Sequence, residues 1–276
     1  MEGNKMRKFE IICVTMNQKD FSKIKEMNIH SDVIFANQSN ETSKQEYVFD
    51  GIHTAQMINS DTRGVGINRN IGCLNATAEI CLFADDDLVY VDDLETKVVN
   101  EFEEHPDADV IIFNLKASEG GRPQKNYNRT RRHHKGERMP WGGCRIAVKL
   151  SSMKKANLWF STLYGGGCIF PSGEDSIWLN EAKRKGLKFY VSKEYLGTVF
   201  FDNSTWFTGY DAKFFYGKGA YYGNTHPRTI YIWFLYMALR SRKLCDMNIK
   251  DKFMWMQNGK KGYDLMLSYE KFVNSK

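Results

Sequence analysis

The chain has no CxxC pair among its six cysteines, Cys13, Cys73, Cys81, Cys144, Cys168 and Cys245. Such pairs build zinc ribbons and dithiol centres, so no zinc site is expected. Cys13 and Cys81 fall instead inside apolar runs, as buried free thiols of a reducing compartment do. No run reaches the roughly 20 apolar residues that cross a bilayer. The opening MEGNKMRKFEIICV has no long apolar h-region, and the expected location is the cytoplasm. There is no internal repeat, which removes solenoids and propellers. The basic blocks RTRRHHKGER (129–138) and RSRKLC (240–245) are not interleaved with aromatics. A single-strand platform would be, so nucleic acid is not an expected partner.

What is present is enough for a real core. The 276 residues are 42% hydrophobic and 26% charged, with a net charge of +6. This fits one large domain, or a core domain with an appendage. The modest positive charge suits a phosphate-bearing ligand or an anionic membrane surface. Short apolar runs at 9–14, 32–37, 79–84, 107–114 and 187–192 predict strands. Helical spacing predicts helices over 20–27, with Asp20 as N-cap, over 66–77 and over 92–105. In the second, Ile67, Ile71 and Leu74 form the inward face; in the third, Leu94, Val98 and Phe102 do. Another helix is predicted over 174–186, burying Ile177, Leu179 and Ala182 and stopping at Gly186. Strands alternating with helices imply an α/β sheet with much parallel pairing. Residues 115–144 are polar, basic and glycine-rich, and read as a loop or edge strands over the site.

The apolar run Ile80 to Ala84 ends on three carboxylates, Asp85, Asp86 and Asp87. Adjacent carboxylates repel and resist burial, so a positive partner is expected. In open α/β sheets ligands gather outside the carboxyl ends of strands, where these residues sit. A hard cation such as Mg²⁺ or Mn²⁺ would take oxygen ligands there together with substrate phosphates. A solvated turn leading into a helix start is the other reading of the same three residues.

The order of features around this cluster resembles family 2 glycosyltransferases with the GT-A fold. In GVGINRNIGCLNATAEICLFADDD, Arg69-Asn70 lies on a helix, followed by small residues, an apolar strand and Asp85-x-Asp87. The strand ends CVTMN and FANQSN resemble that family's nucleotide-binding half. GGGCIFPSGEDSIWL (165–179) resembles its glycine-rich approach to a Glu-Asp pair at a helix start. The resemblance spans roughly residues 9 to 226. The second strand ends in Asn37 where many relatives carry Asp.

The resemblance implies a GT-A, Rossmann-like mixed sheet flanked by helices, with a C-terminal helical extension. It divides the chain into a catalytic domain, 1–227, and an aromatic and basic tail, 228–276. It implies a metal-dependent inverting transferase using a nucleotide diphosphate sugar, with UDP the leading nucleotide and Mn²⁺ or Mg²⁺ the cofactor. Asp87 is then the metal ligand, with Asp85 and Asp86 on the ribose or the metal's waters. Asp175 is the general base and Glu174 an acceptor contact; a helix start favoured by the macrodipole is the plainer reading of that pair. Thr15, Asn17, Asn37 and Arg69 fall to the nucleotide, Arg69 having a buried structural role as its alternative. Lys218 is a diphosphate contact or a solvated lysine. His226 is an additional metal ligand or a histidine of a proline turn.

TIYIWFLYMAL (229–239) is uncharged and lies between Arg228 and Arg240, too short to span a membrane. It reads as a core-packing helix or as an interfacial one on the inner face of the plasma membrane. In the second case a lipid-linked saccharide becomes the natural acceptor, in the synthesis of a bacterial surface polysaccharide. Two further function classes fit a chain of this fold. One is a nucleotidyltransferase, although TMNQKD lacks the expected glycines. The other is a carbohydrate- or nucleotide-binding module without chemistry.

Overall fold

A computed structural model describes residues 7–119, 121, 124–134, 137, 142–200 and 209–275. Lys135, Gly136 and Arg138 of the basic block, and residues 201–208, lie outside the described residues. The chain opens with strand β1 (Phe9–Met16), the four-residue helix α1 (Lys23–Glu26) and strand β2 (Val33–Gln38). Strands β3 (Ser43–Phe49) and β4 (His53–Ser60) follow, then helix α2 (Val65–Asn75) and strands β5 (Ile80–Asp85) and β6 (Leu88–Tyr90). Helix α3 (Leu94–Glu104) leads to β7 (Val110–Ala117) and the two-residue β8 (Arg131–Arg132). A 3₁₀ turn at Gly143–Arg145 enters β9 (Ile146–Lys149) and α4 (Leu150–Lys155). Helix α5 (Glu174–Arg184) and the long strand β10 (Phe189–Val199) complete the sheet. The chain continues through α6 (Ala212–Thr225), α7 (Ile230–Arg240), α8 (Ile249–Asp264) and α9 (Tyr269–Asn274).

The sheet runs β3-β4-β2-β1-β5-β9-β7-β10-β6, with β8 paired to β10. β4, β2, β1 and β5 are mutually parallel, whereas β9 runs antiparallel between β5 and β7. The chain order reverses on either side of β1. Its carboxyl end and that of β5 therefore flank a switch point, where such sheets bind ligands. Register places Thr15 beside Asn37, Asn37 beside Asn59, and Val14 beside Asp85. Two apolar layers sandwich the sheet, one built around Ile11, Phe35, Leu82 and Phe113, the other around Ile12, Phe83, Trp178 and Val191.

Several expectations are corrected by packing. Asp20 does not cap α1: Ser22 is the N-cap, and Asp20 Oδ1 accepts from its amide at 2.9 Å. Helix α2 does not turn Ile67, Ile71 and Leu74 inward. It buries Gly66, Asn68, Arg69, Gly72 and Cys73, and Leu74 is exposed. The inward stripe is polar and small because the helix lies flat on β1 and carries an arginine into the site. On α5 the buried set is Trp178, Leu179 and Ala182, with Trp178 rather than Ile177 reaching Phe83 and Phe160. In α3, Leu94, Val98 and Phe102 are buried as the spacing predicts.

The helices after residue 209 are not a loose appendage. Aromatics of α6 share one cluster with Ile230, Phe234 and Ala238 of α7 and Met256 of α8. A Cβ on Gly219 would come within 1.9 Å of the Met256 carbonyl, and one on Gly259 equally close to that of Tyr216. Helices α6 and α8 therefore touch backbone to backbone.

Candidate active site

The chemistry-bearing residues converge on Arg69. Helix α2 delivers this side chain, 2% exposed, to the carboxyl end of β5 and the start of α5. Its Nη2 donates to Asp85 Oδ1 at 2.8 Å and its Nη1 to Asp175 Oδ1 at 2.6 Å. Glu174 Oε1 is 3.6 Å away, and the Phe160 ring lies 5.2 Å from the guanidinium carbon. The three carboxylates hold this guanidinium charged by more than its burial opposes. Arg69 is thus the hub that ties the acidic strand end to the Glu-Asp pair.

The Glu-Asp pair is set by backbone. Gly173 precedes α5 with φ +118°, a left-handed conformation that L side chains avoid. The turn puts both acids in the first turn of α5, where the helix dipole favours them. The Gly143 amide donates to Asp175, and a Cβ at Gly143 would fall 2.7 Å from Asp175 Oδ1 and 2.8 Å from Arg69 Cζ. That turn must be glycine for the pair to close. Burial raises the proton affinity of Asp175, partly opposed by Arg69. Glu174 is pushed up to about 7 by burial and by Asp175 beside it.

The three aspartates after β5 have different partners. Asp85 takes Arg69. Asp86 Oδ2 accepts from Thr15 Oγ1 at 2.6 Å, and its carbonyl accepts from Lys23 Nζ at 3.3 Å. Asp87 Oδ1 is buried with no hydrogen-bond partner among the described residues, and burial together with Asp85 and Asp86 pushes its pKa up to about 7. An orphaned, electrostatically disfavoured carboxylate oxygen on a strand end is what a hard cation would relieve, so Asp87 fits a Mg²⁺ or Mn²⁺ ligand. Among the described residues no group of three or more His, Cys, Asp or Glu gathers as a metal cage. A cation here would complete its shell with donor phosphates and water.

The other expected residues divide between the strand ends and α6. Thr15, Asn17 and Asn37 all lie at the ends of β1 and β2. Asn17 is exposed with φ +56°. The buried Asn37 clamps the loop, donating to the Gln18 carbonyl at 2.8 Å and accepting from its amide at 3.0 Å. It also donates to Asn59 at 2.7 Å. Lys218 lies over the Phe214 and Tyr221 rings at 5.3 and 5.6 Å. His226 shares a 2.7 Å hydrogen bond with Thr225 and packs 4.4 Å from Trp233, and burial lowers its pKa. The structure gathers Asp85, Glu174 and Asp175 around Arg69, and pairs Thr15 with Asp86 beside them. It seats Lys218 and His226 among the aromatics of the C-terminal helices.

Sequence reasoning missed Lys23, Gly143, Phe160 and Asn59. Lys23 had a legible signal, a lysine one short helix after β1. The other three are recruited by tertiary contacts with no local mark. The amide of Asn68, next to Arg69, is also buried with neither polar atom partnered among the described residues.

Comparison with known proteins bears on this geometry. Residues 32–156 match the family model described as glycosyl transferase family 2. That segment, which runs from β2 to the end of α4, is similar to a family 2 glycosyltransferase domain. The fold of the chain is of the GT-A type. Its fold is similar to that of S. aureus TarS 1-349, with a TM-score of 0.53 at 15% identity over 97% of this chain and 78% of that one. A structure of TarS 1-349 with UDP-GlcNAc matches with the same TM-score and identity. The longer S. aureus TarS matches at 14% identity and a TM-score of 0.52, over 95% of this chain and 44% of that one. No curated protein matches the chain. No helix among the described residues is long and apolar enough to cross a membrane.

Proposed function

We propose that this chain is a metal-dependent, inverting glycosyltransferase that moves a sugar from a UDP-sugar to a saccharide or lipid-linked saccharide acceptor. The process it would serve is the synthesis of a bacterial surface polysaccharide. The observation that carries the reading is Arg69 joining Asp85 of the strand-end cluster to Asp175 of the helix-start pair, which sets a donor-side and an acceptor-side acid on one cation. The TarS complexes with UDP-GlcNAc and UDP support a uridine nucleotide as donor carrier.

In this reading the nucleotide lies over the ends of β1 and β2. Thr15, Asn17 and Asn37 form its floor, and Asp85 and Asp86 face the ribose or the waters around the cation. Asp87 would hold a divalent cation, Mn²⁺ or Mg²⁺, whose charge would neutralise the leaving diphosphate. Asp175 takes the proton of the acceptor hydroxyl as its oxygen attacks the anomeric carbon. The bond from that carbon to the diphosphate oxygen breaks on the opposite face, and UDP departs with the bonding pair. Raised proton affinity suits Asp175 to this task, because a base works best when its pKa approaches the working pH. Glu174 positions the acceptor beside it. Lys218 and His226 serve as diphosphate and cation contacts only if the donor reaches the α6 wall. Residues 1–227 carry donor and chemistry, while 228–276 govern location or acceptor access.

The test is a panel of nucleotide sugars with Mn²⁺ or Mg²⁺, read by donor hydrolysis and by thermal shift. A UDP-sugar should stabilise and be hydrolysed only with the metal present. Stabilisation by another nucleotide, or metal-independent turnover, would overturn the donor or the cofactor assignment.

A further inference from the structure

Helix α7 has two apolar faces, and among the described residues only one of them is covered. Ile230, Phe234 and Ala238 are buried against α6 and α8. The opposite stripe, Tyr231, Ile232, Leu235, Tyr236 and Leu239, is 44–69% exposed. Single exposed apolar residues are ordinary, but five on one face of one helix are a contact surface. Its charge setting is one-sided. Arg228 stands before the helix, Arg240 ends it, and Arg242 and Lys243 follow, all exposed. No acidic residue occurs from Arg228 to Leu244, and Asp246 is the first beyond. Arg240 donates to the Tyr236 hydroxyl at 2.7 Å, so the cation and the aromatic edge form one rim.

We propose that this face of α7 docks on an anionic lipid surface, lying in the headgroup plane. Eleven residues at 1.5 Å each give a helix of roughly 16 Å, too short to cross but long enough to lie flat. Aliphatic side chains enter the acyl boundary, tyrosines sit at headgroup level, and arginines and lysine meet lipid phosphates. The all-positive rim selects this occupant over an uncharged apolar partner. The inference rests on α7 alone and is independent of the donor assignment. It also gives the site a direction. The covered side of α7 backs onto α6, and α6 abuts the Gly173 turn through Tyr221, so the docked face lies two helices behind the Glu174–Asp175 start.

The experiment is flotation of the full chain with vesicles of phosphatidylcholine alone and with roughly a third phosphatidylglycerol. The anionic vesicles should be bound at least about tenfold more tightly, and raised salt should weaken the binding. Ile232→Glu with Leu235→Glu should lose binding with an unchanged circular dichroism spectrum and Tm, both positions being exposed. Arg242→Glu with Lys243→Glu should abolish the preference for anionic lipid. Absent or equal binding to the two vesicle types would overturn the proposal. So would binding that neither double variant alters. A wild-type dimer in solution that Ile232→Glu makes monomeric would assign the face to a second copy instead.

Discussion

Arg69 and Asp175 are 106 residues apart in the chain, and their side chains meet at 2.6 Å. The contact joins the helix after β4 to the helix before β10, and fixes the distance between the two acidic clusters. Removing the cation leaves Asp85, Glu174 and Asp175 facing one another with nothing between them. Arg69→Met should lower stability by about 3–5 kcal/mol, the range for breaking a buried ion pair. Arg69→Lys keeps the charge without the fork that reaches both partners, and should recover only part of the loss. Chemical denaturation of the three proteins, with transfer assayed on each, checks both statements.

Asp87→Asn should abolish metal-dependent UDP binding and raise the thermal stability of the metal-free protein. Both effects follow from an orphaned carboxylate oxygen whose ionisation burial and two neighbouring aspartates oppose. Thermal shift with and without Mn²⁺ and UDP reads both. Unchanged UDP affinity in Mn²⁺ would take Asp87 out of the cation site.

Asp175→Asn keeps size and removes the proton acceptor. Transfer should fall by roughly 10²-fold or more, in kcat as well as in kcat/KM, with little change in donor affinity. Equal loss of donor binding would mean that Asp175 holds the sugar through Arg69. Single-turnover kinetics beside equilibrium donor binding separates the two.

Glu174 should write a pH dependence into the fold. Its folded pKa is raised from an ordinary 4.5 to about 7. Between these values the native state holds more proton than the unfolded chain, so stability falls as pH rises through that window. The contribution is fully present below about 4.5 and gone above about 7. Glu174→Gln should flatten this part of the curve of Tm against pH. A slope identical to wild type would place the proton elsewhere.

The parts legible in the sequence were those written in local apolar spacing. β1, β2 and β5 follow from continuous apolar runs because both of their faces are buried, and α3 and α5 from helical spacing because each buries one face. The β3–β4 hairpin escaped notice because Ser43–Phe49 is an exposed, polar edge strand. Its signal was Asp50-Gly51, both left-handed at φ +53° and +71°, a turn pair that favours hairpins. The inward face of α2 was misread because arginine on a helix usually points to solvent. Here three distant carboxylates reverse that preference, and none of them is visible within the helix. Thr15, Arg69 and the aspartates were legible as candidates. The pairing of Asp86 with Thr15, and of Asp85 with Arg69, needed the sheet register.

The backbone contact of Gly219 with Met256, and of Gly259 with Tyr216, bears on the order of assembly. Domains fold from the N-terminus as they are made. The sheet and both acidic clusters are complete by Val199, yet α6, which backs the Gly173 turn, has its own inner face closed by residues of α8 and by Phe272 of α9. A nascent chain released as far as Thr225 would hold every acid of the site and lack the support behind one of them. The wall behind the Gly173 turn is therefore closed only after α8 and α9 have been made, well after the acids themselves.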